Sequence, residues 1–126
     1  MSFRSAAIAM TGAVLMAICA APLVPGLYLA FGAVCHQAPE RCWGWFGMTL
    51  PVCARCFGLY AGALAAALLP LRVPSRLLWL LAAANVLEFF SGNGTLQIRS
   101  LLAALLCWLG VSRLIALASP REGAAN

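Results

Sequence analysis

The stretch LPVCARCFGLYAGALAAALLPL, residues 50–71, carries a cysteine pair straight into an apolar run of bilayer-spanning length. About 20 apolar residues cross the hydrocarbon core. Within this run the one charged side chain is Arg55. The rest of the chain has the same character: 64% of its 126 residues are hydrophobic and 9% are charged. Soluble domains average roughly 45–50% apolar and about 25% charged. A soluble fold of this size has too little interior to hide the excess, so lipid is its natural solvent. In lipid every backbone group must be satisfied internally, and helices do this within one segment. The expectation is an all-α integral membrane bundle of about four transmembrane helices, forming a single domain over residues 1–126.

Outward from the opening stretch, three more apolar runs are legible. The first covers about residues 6–34 and contains Pro22 and Pro25. Its start resembles a signal peptide, with Arg4, an apolar core and small residues near Cys19 to Ala21. The apolar run continues past any cleavage site, so a retained helix is expected. The remaining helices are placed at 51–71, 75–90 and 100–118. Pro70 and Pro74 break the chain between the second and third, and SGNGT forms a turn before the fourth. The third run is short: at 1.5 Å per residue it reaches about 24 Å, against a core of about 30 Å. Arg72 and Arg76 at its start can snorkel. Gly58 and Gly62 form a small-xxx-small pair that admits a second helix closely, in this chain or in a homo-oligomer or larger membrane complex.

The net charge is +5, carried by arginines scattered singly. No basic run interleaves with aromatics, which argues against nucleic-acid binding. With four spans, Arg4, Arg72, Arg76, Arg113 and Arg121 share one side, and Arg41, Arg55 and Arg99 lie on the other. The excess of positive charge belongs on the cytoplasmic side. Both termini are therefore expected in the cytoplasm, the chain in the cell (inner) membrane, and the Cys/His loop, residues 35–50, outside. Trp43 and Trp45 suit a loop at headgroup level.

That loop carries the chemistry. Cys35-His36 is followed, after sixteen residues, by Cys53-x-x-Cys56. Thiolate and imidazole are the donors that zinc and other soft or borderline metals prefer. The C-x-x-C pair sits where the loop enters a helix, and a helix N-terminus favours thiolate. Cys35, His36, Cys53 and Cys56 are the expected zinc ligands. Cys42 is the alternative fourth donor, because adjacent residues such as Cys35 and His36 point in different directions. Two other readings compete: dithiol/disulfide chemistry on the C-x-x-C pair, and a static disulfide of the kind common outside the cell. Cys19 and Cys107 lie within apolar runs and are expected to be small packing residues.

Glu88 is an acid near the end of a hydrophobic run, which is costly without a partner. Arg55 and Arg99 are the nearest basic residues by level. An Arg55–Glu88 pair would tie the C-A-R-C motif to the third helix. Asn85 lies about one turn earlier and can line the same interior. Gln37 and Arg41 are candidates to support the site, Gln37 by orienting the His36 ring.

The strings CHQAPER and PVCARCFGLYAG resemble the signature of a family of small bacterial and archaeal multi-pass membrane proteins with no assigned reaction. Cys35, His36, Gln37, Pro39, Arg41, Pro51, Cys53, Arg55, Cys56, Gly58, Tyr60 and Gly62 match that signature by position. The chain departs from it at Cys42 and Trp43, where the family pattern resembles Ser and Phe, and in the wider spacing of Asn93 and Arg99. The departure at Cys42 favours His36 as the fourth ligand. The resemblance implies a multi-pass fold and a shared Cys/His site. The expected role is an accessory or structural subunit or a metal-handling protein; the alternative is a membrane thiol-disulfide oxidoreductase. The sequence contains no nucleotide-binding loop, hydrolase triad or metalloprotease motif, and whether the chain is an enzyme stays open.

Overall fold

The computed structural model describes residues 3–45 and 47–118. The fold is mostly helical, with five α-helices and one small two-stranded sheet among these residues. The helices are α1 (Phe3–Ala20), α2 (Pro25–Gly32), α3 (Ala54–Leu68), α4 (Ser75–Ser91) and α5 (Leu96–Ala118). The strands are β1 (Cys42–Trp45) and β2 (Met48–Cys53). Two helical stretches, Arg4–Leu23 and Leu96–Leu117, are long and apolar enough to cross a membrane. Several of their large apolar side chains point outward: Met16 is 74% exposed and Leu117 73%. Water does not tolerate such a surface over a whole molecule, and lipid does.

Three expected boundaries are corrected. The run at 6–34 is not one helix. Proline lacks an N–H and its ring crowds the preceding turn, so Pro22 and Pro25 each open a new element. A 3-10 turn covers Ala21–Leu23, and α2 follows with proline in its first turn. The later part of the loop at 35–50 and the first residues of the 51–71 run fold as a β-hairpin, after a 3-10 turn at Pro39–Arg41, so the chain is not purely α. Its strands are antiparallel, with Cys42 opposite Cys53, Gly44 opposite Thr49 and Trp45 opposite Met48. Gly47 adopts a φ of 76° in the connecting turn, a value that glycine takes without steric cost. Helix α3 therefore starts at Ala54, with Cys53 as its N-cap. The fourth run begins earlier than expected, at Leu96.

The helices lie in the order α1, α3, α5, α4, each packed on the next. A Cβ at Gly58 would overlap the Ser100 carbonyl, and one at Gly62 the Ala104 carbonyl. Helices α3 and α5 thus run parallel in close backbone contact, small residue against small residue on both. Of the two expected uses of the Gly58/Gly62 pair, the structure shows the one within the chain: α5 packs against both glycines. Far from the hairpin, Arg4 Nε donates to the Ala67 carbonyl at 2.8 Å and Arg4 Nη2 to Leu68 at 2.6 Å. Trp108 Nε1 donates to the Leu69 carbonyl at 2.8 Å. These bonds satisfy carbonyls that the end of α3 leaves without helical partners.

At the other end, α2 and the hairpin cap the helices. Ile18, Cys35, Leu50 and Val52 form a buried cluster there, with Phe31, Phe57 and Tyr60 packed against it. The Tyr28 hydroxyl of α2 donates to the Thr49 carbonyl of β2. This cap positions the cysteines.

Candidate metal centre

Cys35 follows α2 and is 7% exposed. The chain turns sharply just after it: Gln37 takes a φ of 51°, a left-handed conformation uncommon outside glycine. The Gln37 amide secures that turn by donating from Nε2 to the Tyr28 carbonyl at 2.6 Å. Cys53 closes β2 and caps α3, and Cys56 lies in the first turn of α3. The sulfurs of Cys35, Cys53 and Cys56 all lie within 4.8 Å of one another. A tetrahedral zinc site with Zn–S bonds of about 2.3 Å places its sulfurs about 3.8 Å apart. Small side-chain adjustments therefore bring this trio to ligating geometry, and the cluster can hold a metal ion. All six cysteines are free thiols.

The surroundings favour thiolate at Cys35. Burial alone would raise its pKa, but hydrogen bonds from the backbone N–H groups of Gln37 and Cys53, and from the neighbouring thiols, bring it below the ordinary value. The Cys53 N–H donates to Cys35 Sγ at 3.1 Å. Cys42 behaves oppositely. Burial first, then the negative charge of Cys35, Cys53 and Glu40, pushes its thiol up to about 11. It is 4% exposed and its sulfur does not belong to the trio. His36 also lies outside the trio: its side chain is exposed, at the rim of a depression of about 240 Å³ that Cys35 shares. Gln37 contacts Tyr28 rather than the imidazole.

A polar cluster lies beside the cysteines. Glu88, near the end of α4, has a side chain only 7% exposed. Arg55 donates to its Oε2 from Nε at 3.2 Å and also from Nη2. Arg99 Nε donates to its Oε1 at 2.9 Å, and Arg99 Nη2 donates to the Gly92 carbonyl at 2.9 Å. The Arg55 guanidinium lies 4.9 Å from the Phe89 ring centroid, within cation–π range. One carboxylate thus joins the C-A-R-C segment of α3 to the start of α5. A Cβ at Gly94 would overlap the Glu88 carboxyl group, so the glycine of the SGNGT turn makes room for it. Sequence reading did not single out Gly94 or Tyr28. Glycine in a turn is ordinary, and only the packed carboxylate shows why this one is needed. Asn85 donates from Nδ2 to Leu81 of its own helix and to Leu102 of α5, at 3.0 and 3.1 Å.

Comparison with known proteins finds one family and two relatives among the matches. The family described as "Predicted membrane protein (DUF2085)" matches residues 35–111, from the first cysteine of the trio into α5. "Uncharacterized protein MJ1492" of Methanocaldococcus jannaschii is 50% identical over 38 residues, 30% of this chain and 24% of that protein. An "Uncharacterized protein" of Methanothermobacter thermautotrophicus is 46% identical over 35 residues, 28% of this chain and 32% of that one. The chain therefore spans about a quarter to a third of these relatives. No solved structure matches it. The family match extends over more than half of the chain, and the protein belongs to the DUF2085 family of predicted membrane proteins.

Proposed function

We propose that this protein is a four-span membrane protein whose outer face carries a zinc centre, serving as an accessory or structural subunit or in metal handling. The observation that carries the reading is the convergence of three sulfurs from two separate segments, with backbone N–H groups already aimed at one of them. A disulfide joins two sulfurs at about 2.05 Å and leaves the third without a role; an ion uses all three. His36 is the fourth donor in this proposal. It adjoins Cys35, its side chain is exposed, and it lines the depression that Cys35 shares. The shared depression beside Cys35 is an entry path of the kind a metal site requires. Bound there, zinc would clamp the end of α2 to the start of α3, since a structural site contributes folding energy outright.

The four-span reading rests on helix directions. Helices α1 and α4 run toward the hairpin end, and α3 and α5 run away from it, as the contacts at Arg4, Glu88 and Gly58 require. Helices α3 and α4, at 15 and 17 residues, extend about 22 and 25 Å. Local bilayer thinning and the flanking arginines accommodate that mismatch.

Metal analysis of purified full-length protein, with thiol counting before and after chelation, tests the centre. The expected result is about one metal per chain and trio thiols that react only after chelation. Cys53→Ser should remove the metal and lower the melting temperature; retention of both overturns the proposal. His36→Ala should weaken metal binding while leaving the apo fold intact. No metal together with an exchangeable Cys53–Cys56 disulfide would instead establish the oxidoreductase reading.

A further inference from the structure

A cleft of about 510 Å³ opens between the one-turn 3-10 helix at Pro39–Arg41 and the α4–α5 junction. Three of the chain's eight basic residues, Arg41, Arg55 and Arg99, line it. Each guanidinium carries five N–H donors in a rigid fork, a geometry matched to phosphate oxygens. Glu88 and the Gly92 carbonyl occupy Nε and Nη2 of Arg99, and Glu88 occupies the same two atoms of Arg55. Among the described residues Nη1 of both has no hydrogen-bond partner and can meet a ligand, on side chains already held in place. Arg41 is exposed, and its side chain makes no ion pair or hydrogen bond among the described residues. Counting Glu40 in the lining and Glu88 beneath it, three positive charges face two negative ones. The balance is one positive charge, which suits a singly charged phosphodiester. Helix α5 begins at the same cleft, where Thr95 and Leu96 lie in the lining; the Ile98 N–H donates to Thr95 Oγ1 at 3.4 Å, and the positive end of the helix adds potential there.

We propose that this cleft holds the phosphate of an anionic lipid headgroup. The cleft shares the hairpin end of the molecule with Trp43 and Trp45, residue types that concentrate at headgroup level. Its edge is apolar. Phe89 lines it at 60% exposure, and the adjoining Phe90 is 81% exposed. A free phosphate has no use for those rings, whereas acyl chains descending from a bound headgroup do. None of the residues lining the cleft belongs to the cysteine trio.

The test uses full-length protein purified with its metal content unaltered. It is reconstituted in bilayers mixing phosphatidylcholine with phosphatidylglycerol, then extracted, and the retained lipid is counted by native mass spectrometry. Preferential retention of phosphatidylglycerol is expected. Arg41→Glu should reduce that preference about tenfold, the scale of one lost charge-assisted contact. Arg72→Glu makes the same change in net charge at the opposite end of α3 and should leave the preference intact. Arg41→Gln, a milder change at a residue without structural bonds, should give an intermediate loss. Equal retention of the two lipids, or equal effects of Arg41→Glu and Arg72→Glu, overturns the proposal. Thermal protection by inorganic phosphate without any lipid preference overturns the lipid assignment in favour of a soluble phosphate compound.

Discussion

Cys35 and Cys42 lie seven positions apart, and their thiols respond oppositely to the fold. Both are buried, but Cys35 receives backbone N–H groups while Cys42 faces negative charge. In chelated protein, Cys35 should alkylate as a thiolate, with a rate that plateaus at lower pH than an ordinary cysteine. Cys42 should keep gaining rate toward pH 11. Mass-spectrometric mapping across a pH series measures both profiles, and identical ones would contradict the N–H assignment. Glu88 is the other decisive residue. Glu88→Ala leaves Arg55 and Arg99, with side chains 25% and 14% exposed, facing each other without their counterion. A loss of about 3–5 kcal/mol in unfolding free energy is expected, as for breaking a buried pair from one side. Glu88→Gln keeps the shape and should cost less. An unchanged melting temperature for Glu88→Ala would show that the cluster contributes nothing. Sequence reading reached these residues because charged or metal-binding types are rare in apolar surroundings. It ranked His36 above Cys42 only through the family resemblance, since ligand position depends on side-chain direction at a hairpin that residue types do not reveal.

Among the elements, the α3–α5 contact organises the helices. Gly58→Ala and Gly62→Ala each drive a methyl group into backbone of α5, which cannot yield as a side-chain tip can. A loss of about 1–3 kcal/mol each is expected, the range for overpacking. Gly110, also in α5, has open space within 4 Å of the point where a Cβ would sit. Gly110→Ala should be neutral or gain up to about 1 kcal/mol from helix propensity. Thermal unfolding in one detergent compares all three, and equal effects would remove the close contact as the explanation. The small-xxx-small pattern was legible on α3 alone. Its counterpart Ser100-xxx-Ala104 escaped notice because serine and alanine are common in apolar helices. The hairpin escaped too: CWGW and MTLPVC are each too short to show a period, and their pairing is set by the turn around Gly47.

For the whole molecule, the alternating helix directions place the hairpin and the α3–α4 turn at opposite ends. Met48→Cys, at an exposed hairpin position, should react with an impermeant thiol reagent on intact cells. Arg72→Cys should react only after permeabilisation. The reverse result would invert the orientation, and labelling of both from one side would exclude four spans. Composition was sufficient to establish a mostly helical membrane protein, because a 64% hydrophobic chain of this length has no other stable solvent. Motif spacing was sufficient to nominate Cys35, Cys53 and Cys56, since metal chemistry restricts the donor types and the C-x-x-C spacing keeps two of them adjacent. The fold was needed to bring Cys35 onto that pair across a hairpin, to leave His36 at the rim, and to gather Arg41, Arg55 and Arg99 into one cleft. Those placements depend on contacts between segments far apart in the chain, whose geometry is set by packing rather than by any local pattern of residues.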